Sequence, residues 1–325
     1  MSTYNQIFGG KVNVVTADPS NPINGQVWYN SSTKVLKYSE ASVAGVWAAG
    51  GNLATARSDL GGTGTQTAGL GFGGFTTANT NVTEEYNGTA WTGGGNLATA
   101  RRELRGAGTQ TVALAFAGFI TAPSNATEEY DGTSWTGGGN LATARYGPGG
   151  AGTQTSGLCF GGGTYPPPTS VTNTEEYDGT SWTGGGNLGT AKRYTAGCGT
   201  QTAGLNFGGT NAAGSRTAAT EEYDGTSWTA GGNLATSRNT LAGAGTQTVG
   251  LAFGGYDGAI TSATEEYNGT SWTAGGNLGT ARQSLAGAGT QLSGLAFGGY
   301  TTTQVANTEE YTGPGTISIE TVTAT

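Results

Sequence analysis

A unit of about 45 residues recurs six times in this 325-residue chain and constrains its fold more than any other feature. In its plainest form the unit reads GGNLATAR, then AGAGTQTVGLAFGG, then a variable stretch, then TEEYDGTSWT. One tryptophan marks each unit, at intervals of 44, 44, 47, 46 and 44 residues: Trp47, Trp91, Trp135, Trp182, Trp228 and Trp272. Repeats of this length fold as supersecondary units that stack on one another. We therefore expect one stacked array over residues 46–316.

The apolar part of each unit has the period of a β-strand. In Thr246–Gly255, the large side chains of Val249, Leu251 and Phe253 alternate with small ones, which predicts a strand with one bulky and one bare face. Leu and Phe of one unit should fill the hollow beside Gly and Ala of the next. The preceding Gly/Ala run at 241–245 should lie innermost, because glycine permits close approach of backbones.

The second half of each unit predicts a tight hairpin. ATEEY at 263–267 reads as a third strand, and the turn Asn268-Gly269 leads into a fourth strand through Trp272. The last unit ends at Tyr311 without a following tryptophan, so Val46–Ala48 from the other end is expected to complete it. The alternative is that residues 317–322 supply that outer strand.

Six units of four antiparallel strands predict an all-β fold, a β-propeller. The unit also resembles the Kelch family, whose marks are a Gly-Gly doublet after an apolar strand, a Tyr shortly before a Trp, and a later Arg. Here these are Gly254-Gly255, Tyr267, Trp272 and Arg282. The resemblance implies a six-bladed Kelch-like β-propeller, closed by the N- and C-terminal strands together. The Tyr–Trp spacing is shorter than is usual in the family, which favours a tighter outer hairpin.

The repeated tryptophans and arginines are expected to build the blades. We expect each arginine to pair with a carboxylate of the recurring Glu-Glu pair and to fasten neighbouring blades. The alternative is that they grip an anionic ligand together. The arginines concerned are Arg57, Arg101, Arg145, Arg238 and Arg282. Cys159 and Cys198 are expected to be small buried fillers, with a bridge between neighbouring units as the alternative.

Composition argues against several classes of function. The net charge is −8 without a basic stripe, which disfavours nucleic-acid binding. No apolar run approaches the ~20 residues of a membrane helix, and the N-terminus lacks the pattern of a signal peptide. The chain has no histidine, on which nucleophilic triads and most metal sites depend. We expect no enzyme activity, no cofactor, no metal and no membrane insertion.

Candidate binding residues lie in the variable stretches between the second and third strands. These stretches are 75–82, 119–126, 164–173, 210–219, 256–263 and 300–307, and strand direction predicts that they share one face with the linkers between blades. Loops on a rigid scaffold commonly carry binding residues. The candidates are Phe75, Phe119, Tyr165, Pro167, Arg216, Tyr256, Asp257 and Tyr300. The alternative for the aromatic residues is that they cover the ends of the blade cores.

The sequence predicts a separate N-terminal segment at residues 1–45 with a β-hairpin, and a C-terminal tail at residues 317–325 for which an added outer strand is one option. The leader motif DPSNP…GQVWYN at 18–30 is similar to segments of tailed-bacteriophage virion proteins that precede fibre or adhesion modules. With the repeats, the layout resembles Kelch-like proteins of marine phages. The resemblance implies a non-enzymatic virion protein, made in the host cytoplasm without a signal peptide. Its leader would attach to other virion proteins, and its loop face would contact a host-surface glycan or protein. An intracellular protein–protein scaffold and a glycan-active enzyme are the alternatives.

Overall fold

The computed structural model describes residues 12–20, 22–23, 25–41, 44–166, 168–315 and 317–322. Contacts divide the chain into two compact units, Val46–Thr312 and a smaller unit of Met1–Gly45 with Gly313–Thr325. All regular structure in the described ranges is β-strand. That part of the chain accordingly holds no helix with the length and apolarity needed to cross a membrane.

The unit Val46–Thr312 contains six four-stranded antiparallel sheets, one for each sequence repeat. Sheet 1 consists of Gly61–Gly64, Gly69–Phe72, Thr83–Tyr86 and Trp91–Gly93. Sheet 2 consists of Arg105–Gly108, Ala113–Phe116, Thr127–Tyr130 and Trp135–Gly137. Sheet 3 consists of Gly149–Thr153, Ser156–Phe160, Thr174–Tyr177 and Trp182–Gly184. Sheet 4 consists of Ala196–Thr200, Ala203–Phe207, Thr220–Tyr223 and Trp228–Ala230. Sheet 5 consists of Ala242–Gly245, Gly250–Phe253, Thr264–Tyr267 and Trp272–Ala274. Sheet 6 consists of Ala286–Gly289, Ser293–Phe297, Thr308–Thr312 and Val46–Ala49. This confirms the predicted all-β fold with four antiparallel strands per repeat and is consistent with a β-propeller.

Sheet 6 combines strands from both ends of the repeat region. Its fourth strand, Val46–Ala49, pairs antiparallel with Thr308–Thr312, and Trp47 lies opposite Tyr311. Residues 317–322 were the alternative source of this strand. The structure instead pairs Ile317–Thr321 with Val35–Ala41 in the smaller unit.

Neighbouring sheets pack bulky side chains against glycine. A Cβ added at Gly250 would lie 2.8 Å from a methyl group of Leu205, and one at Gly197 would lie 2.4 Å from the ring of Phe160. Leu205 and Phe160 are fully buried. The small face of one sheet thus receives the large face of the preceding one, as the alternation predicts. Val249 departs from the prediction, because it lies in the exposed turn before its strand.

Three side-chain donors of each sheet also bond to the preceding sheet. In sheet 2, the Tyr130 hydroxyl donates to Glu85, the indole of Trp135 to Thr83, and the amide of Gln110 to backbone carbonyls of sheet 1. The same three bonds recur at every junction, including the one at which sheet 1 donates to sheet 6. Its donors are Tyr86 to Glu310, Trp91 to Thr308, and Gln66 to Gly294 and Tyr311.

The repeated arginines anchor the linkers. Arg57, Arg101, Arg145, Arg238 and Arg282 are fully buried, and each pairs with the first glutamate of the sheet that its linker enters: Glu84, Glu128, Glu175, Glu265 and Glu309. Lys192 takes this role in sheet 4, with Glu221. The expected Arg–Glu pairing is therefore present, but the carboxylate that crosses between sheets is the second glutamate.

The smaller unit contains its own sheet of four strands, Asn13–Val15, Val27–Asn30, Val35–Ala41 and Ile317–Thr321. The leader motif organises it: one Asp18 oxygen accepts from Trp28 and Asn30, and the other pairs with Lys37. The indole of Trp28 is fully buried. The predicted hairpin is thus present, and the residue 317–322 region belongs with it.

Both cysteines are free and buried. Burial raises the pKa of each thiol to about 12, so neither is a reactive thiolate at neutral pH. This agrees with the role of small fillers and excludes a Cys159–Cys198 bridge.

Candidate functional site

The linkers contain two adjacent positions at which the six repeats disagree. They follow the repeated Arg or Lys and precede the first strand, and we call them the outer and inner linker residues. The pairs are Ser58-Asp59, Arg102-Glu103, Tyr146-Gly147, Arg193-Tyr194, Asn239-Thr240 and Gln283-Ser284. In a chain whose repeats are otherwise so similar, residues that differ in every unit are candidates for function rather than for scaffold.

The inner residues are joined head to tail by backbone hydrogen bonds. The amide of Glu103 donates to the carbonyl of Asp59 at 2.7 Å, and Gly147, Tyr194, Thr240 and Ser284 continue the series at 2.7 to 3.0 Å. The amide of Asp59 donates in turn to Ser284 at 2.8 Å. Six residues from six linkers thus share one cycle of hydrogen bonds.

All six inner residues adopt left-handed backbone conformations, with φ between 51° and 57°. Gly147 is the best suited to this region and Asp59 tolerates it better than most residues, whereas the β-branched Thr240 is especially unsuited. Such conformations persist where the surrounding structure enforces them, and they concentrate at binding and catalytic sites. The hydrogen-bond cycle supplies that enforcement here.

Acidic and basic groups meet beside this cycle. The pKa of Glu103 is raised to about 7, chiefly by burial and also by the nearby Asp59, while Arg102 and Arg105 oppose the rise. The guanidinium of Arg102 lies 3.6 Å from the Glu103 carboxylate. The Asp59 carboxylate accepts a hydrogen bond from Ser58 at 2.9 Å.

Arg105 lies two residues after Glu103, among the first strands of the sheets. Its equivalents in the other sheets are Gly61, Gly149, Ala196, Ala242 and Ala286. It projects into a cavity of about 50 Å³ that the first strands line with glycine, alanine and leucine. Its two terminal nitrogens donate to the carbonyls of Leu104 at 3.1 Å and Thr195 at 3.2 Å, which ties sheet 2 to the start of sheet 4. Burial lowers the pKa of Arg105, and the carboxylates of Asp59 and Glu103 counteract the effect.

The outer linker residues pair with the residues that open the variable loops. Ser58 bridges to Phe75, Arg102 to Phe119, Asn239 to Tyr256 and Gln283 to Tyr300. The half-buried aromatic side chains therefore lie beside the linkers, as strand direction predicts.

Phe75 and Phe119 are brought together by Arg102, which the sequence analysis did not select. The guanidinium lies 5.2 Å from the centre of the Phe75 ring and 4.9 Å from that of Phe119. It also donates to the Asn79 side chain at 2.9 Å. Phe119 in turn packs edge-on against Tyr146 at 5.9 Å, and Tyr146 packs against Tyr194 at 5.7 Å. One flank of the linker pairs is thus an aromatic cluster with an arginine inside it.

Three further candidates gather between the loops of sheets 4 and 5. The guanidinium of Arg216 lies 5.2 Å from the centre of the Tyr256 ring. Arg216 and Asp257 line one groove of about 450 Å³ together with Gly214, Ser215, Thr236 and Ser237.

The remaining candidates lie apart. Tyr165 is 59% exposed and follows a short hairpin strand, Gly163–Thr164, that pairs with Thr169–Ser170. Pro167 lies outside the described residues. Tyr300 is half-buried in the loop of sheet 6, beside Gln283.

In the described ranges, no group of three or more Cys, Asp or Glu residues is placed to hold a metal ion. Neither known protein-family models nor curated proteins match this sequence. The side chains of the linkers and variable loops offer arginines, amides, hydroxyls and partly exposed aromatic rings.

The linker pairs were missed at the sequence level, although a signal for them exists. The six segments read RSDL, RREL, RYGP, KRYT, RNTL and RQSL, which are variable between two repeated ends. The loops are conspicuous in the sequence because they vary in length, whereas the linkers vary only in side chain.

Proposed function

We propose that the six sheets form a closed six-bladed β-propeller of Kelch-like type. The first strands of successive sheets contact one another, and the first strand of sheet 6 contacts that of sheet 1. The tyrosine, tryptophan and glutamine bonds between sheets 1 and 6 repeat those of the other junctions. The cycle of backbone hydrogen bonds among the inner linker residues follows the order of the six linkers along the chain, and Asp59 joins the linker of sheet 1 to that of sheet 6 through Ser284.

We further propose that this propeller is a non-enzymatic binding module that recognises a glycan through the loop and linker face. One observation carries the proposal: the residues that differ between repeats concentrate on that face, while the repeated residues build the sheets and their junctions. Binding residues on a rigid scaffold are expected to have this distribution.

The chemistry of the face suits a carbohydrate. Asn239 and Gln283 carry partly exposed amides. The Asn239 amide donates to Thr210 at 2.8 Å and that of Gln283 accepts from Thr240 at 3.4 Å, and each amide has further donor and acceptor positions for a ligand. Tyr256 and Tyr300, their bridge partners, present partly exposed rings on which sugars can stack. Amides, hydroxyls and aromatic rings together satisfy both the hydroxyl groups and the apolar faces of a sugar.

Binding is a better proposal than glycan hydrolysis. Asp59 and Glu103 resemble the acid pair of a glycosidase, since the Glu103 pKa is about 7. However, the cavity beside the two carboxyl groups has a volume of about 10 Å³. Such a space admits at most one water molecule and no sugar ring.

We propose a phage particle as the setting, with the smaller unit as the attachment segment to other virion proteins and the propeller displayed outward to the host surface. Support comes from the resemblance of the leader motif to virion proteins. It also comes from the role of Asp18, Trp28 and Asn30 of that motif in holding the smaller unit together.

Two experiments test the proposal. The full-length protein, labelled with a fluorophore, should bind whole host cells, and periodate oxidation of the cell-surface sugars should abolish binding. The double variant Asn239→Ala, Gln283→Ala should lose binding. A control with Thr67→Ala and Thr155→Ala, which are exposed in the turns between first and second strands, should retain it.

An antibody against the propeller should also label intact particles. Absence of label would refute the virion setting. Failure to bind cells, combined with recovery of a host cytoplasmic protein in a pulldown, would favour the intracellular scaffold instead.

A further inference from the structure

The groove between loops 210–219 and 256–263 is lined by residues that differ from those at the equivalent positions of the other repeats. We propose that it is a subsite for an acidic saccharide, a sugar that carries a carboxylate or sulfate group. This inference rests on the proposal that the loop face binds glycans, and it specifies the class of glycan.

Arg216 is a cation without a polar partner in the described part of Val46–Thr312. Every other Lys or Arg of this unit forms an ion pair or donates a hydrogen bond. Arg216 is exposed, and its guanidinium stacks on the ring of Tyr256 with one terminal nitrogen close to Gly258. Stacking on an aromatic ring orients the guanidinium and leaves its N–H groups free to donate.

Ser237 is a second departure from the repeat in the same groove. The residue before the linker Arg or Lys is alanine in the other five repeats: Ala56, Ala100, Ala144, Ala191 and Ala281. Only here does serine replace it, and Ser237 lines the groove with Arg216. Two independent departures therefore converge on one place.

Asp257 supplies an acceptor on the other wall. The equivalent residues are Thr76, Ile120, Thr164, Asn211 and Thr301, so the carboxylate is specific to sheet 5. One of its oxygens accepts from the amide of Ala259 at 3.1 Å, which fixes the side chain. No ion pair joins Asp257 to Arg216 in the described structure, so neither charge neutralises the other by direct contact.

The combination matches an acidic sugar more closely than a neutral one. The guanidinium of Arg216 is suited to binding a carboxylate or sulfate group. The Asp257 carboxylate can accept a hydrogen bond from a hydroxyl group of the sugar ring. The Ser237 hydroxyl can donate or accept a hydrogen bond beside them. Because the protein carries a net charge of −8, an anionic ligand requires a local unneutralised cation. Arg216 provides it.

The test uses a glycan array built from matched pairs, each an acidic glycan and its carboxyl-reduced or desulfated counterpart. The full-length protein should bind acidic members in preference to their neutral partners, and binding should weaken as salt increases. Titration calorimetry on the best pair then compares Arg216→Gln with the wild type. The expected loss is about tenfold or more, as for removal of a hydrogen bond to a charged group.

Two matched variants serve as controls. Ser237→Ala restores the residue of the other repeats and should weaken binding several-fold, to a lesser degree than Arg216→Gln. Ala281→Ser adds the same hydroxyl at the equivalent position in the next repeat and should change nothing.

The outcomes separate this inference from the proposed function. Equal binding of acidic and neutral partners, or unchanged affinity in Arg216→Gln, would overturn the acidic subsite while leaving glycan recognition in place. Binding to no glycan of either kind would overturn both.

Discussion

At the scale of single residues, the glutamine of each Gly-Thr-Gln turn has a larger structural role than its position in a turn suggests. Gln110 donates at 3.0 Å to the carbonyl of Gly69 and at 2.6 Å to that of Tyr86, so one amide satisfies two backbone acceptors of the preceding sheet. Replacement leaves both without that donor.

We expect Gln110→Ala to lower the free energy of unfolding by about 1–3 kcal/mol, the cost of leaving buried acceptors unsatisfied. The neighbouring, exposed Thr111 provides the control, and Thr111→Ala should change stability by less than about 0.5 kcal/mol. Urea unfolding of the full-length protein measures both. Equal effects of the two substitutions would show that the amide bonds between sheets add nothing.

Glu103 should make stability depend on pH. Its folded-state pKa of about 7 is above the ordinary value of 4.5, because burial and Asp59 disfavour the charged form. Between pH 4.5 and 7 the folded state therefore binds more protons than the unfolded state. As pH rises through this range to 7, the free energy of unfolding falls. Arg102 and Arg105 limit this loss, and Tyr146 and Tyr194 lie in the same cluster.

Glu103→Gln should gain stability relative to the wild type as pH rises from about 4.5 to 7, and the gain should then level off. Asp131→Asn is the control, because the Asp131 pKa is lowered to about 2 by hydrogen bonds from Ser134 and Thr133. Its stabilising contribution is lost only as pH falls from about 4 towards 2. Chemical unfolding at several pH values measures the two differences. A Glu103→Gln difference that stays constant between pH 4.5 and 7 would show that Glu103 ionises normally.

At the scale of elements, each sheet needs glycine on one face because the large side chains of the preceding sheet pack against that face. Gly197 and Gly184 are both strand glycines, but a Cβ at Gly197 would lie 2.4 Å from the Phe160 ring, whereas one at Gly184 meets nothing within 4 Å. We expect Gly197→Ala to destabilise the protein by about 1–3 kcal/mol through overpacking. Gly184→Ala should be neutral or slightly stabilising. Thermal or urea unfolding distinguishes them, and a neutral Gly197→Ala would show that this junction accommodates an added methyl group without cost.

The sequence predicts elements well because its signals are local. Alternation at Leu251 and Phe253, and the Asn-Gly or Asp-Gly turns, depend only on neighbours along the chain. The ion pair of Arg238 could be predicted too, because each repeat supplies one basic residue and a Glu pair, and charges buried between blades need partners of opposite sign. Contacts that join different repeats were less accessible: nothing local shows that Glu222 accepts from Tyr267 of the next sheet.

The candidate site was predicted only in part, for the same reason. The loop residues Arg216, Tyr256 and Asp257 do lie together. The inner linker residues are adjacent to one another only because six linkers converge, and their left-handed backbone follows from that convergence rather than from residue type. A Glu or a Thr at such a position carries no sequence signal of a positive φ.

At the scale of the whole molecule, closure of the array can be tested by comparing two equivalent junctions. Trp135 links sheets 2 and 1, which are adjacent in sequence, through Phe72 at 5.0 Å and Thr83 at 3.0 Å. Trp91 links sheet 1 to sheet 6 through Phe297 at 4.8 Å and Thr308 at 2.9 Å. The proposed closed ring requires the second junction as well as the first.

Both Trp135→Ala and Trp91→Ala should therefore cost about 3–5 kcal/mol, because each removes a buried aromatic side chain from a junction of the same design. Urea unfolding with a common slope for the two variants gives the comparison. In an open array Trp91 would face solvent beyond its own Tyr86, and its replacement would cost much less than that of Trp135. Equal losses, with a single cooperative transition in each variant, are the result that a closed six-bladed ring requires.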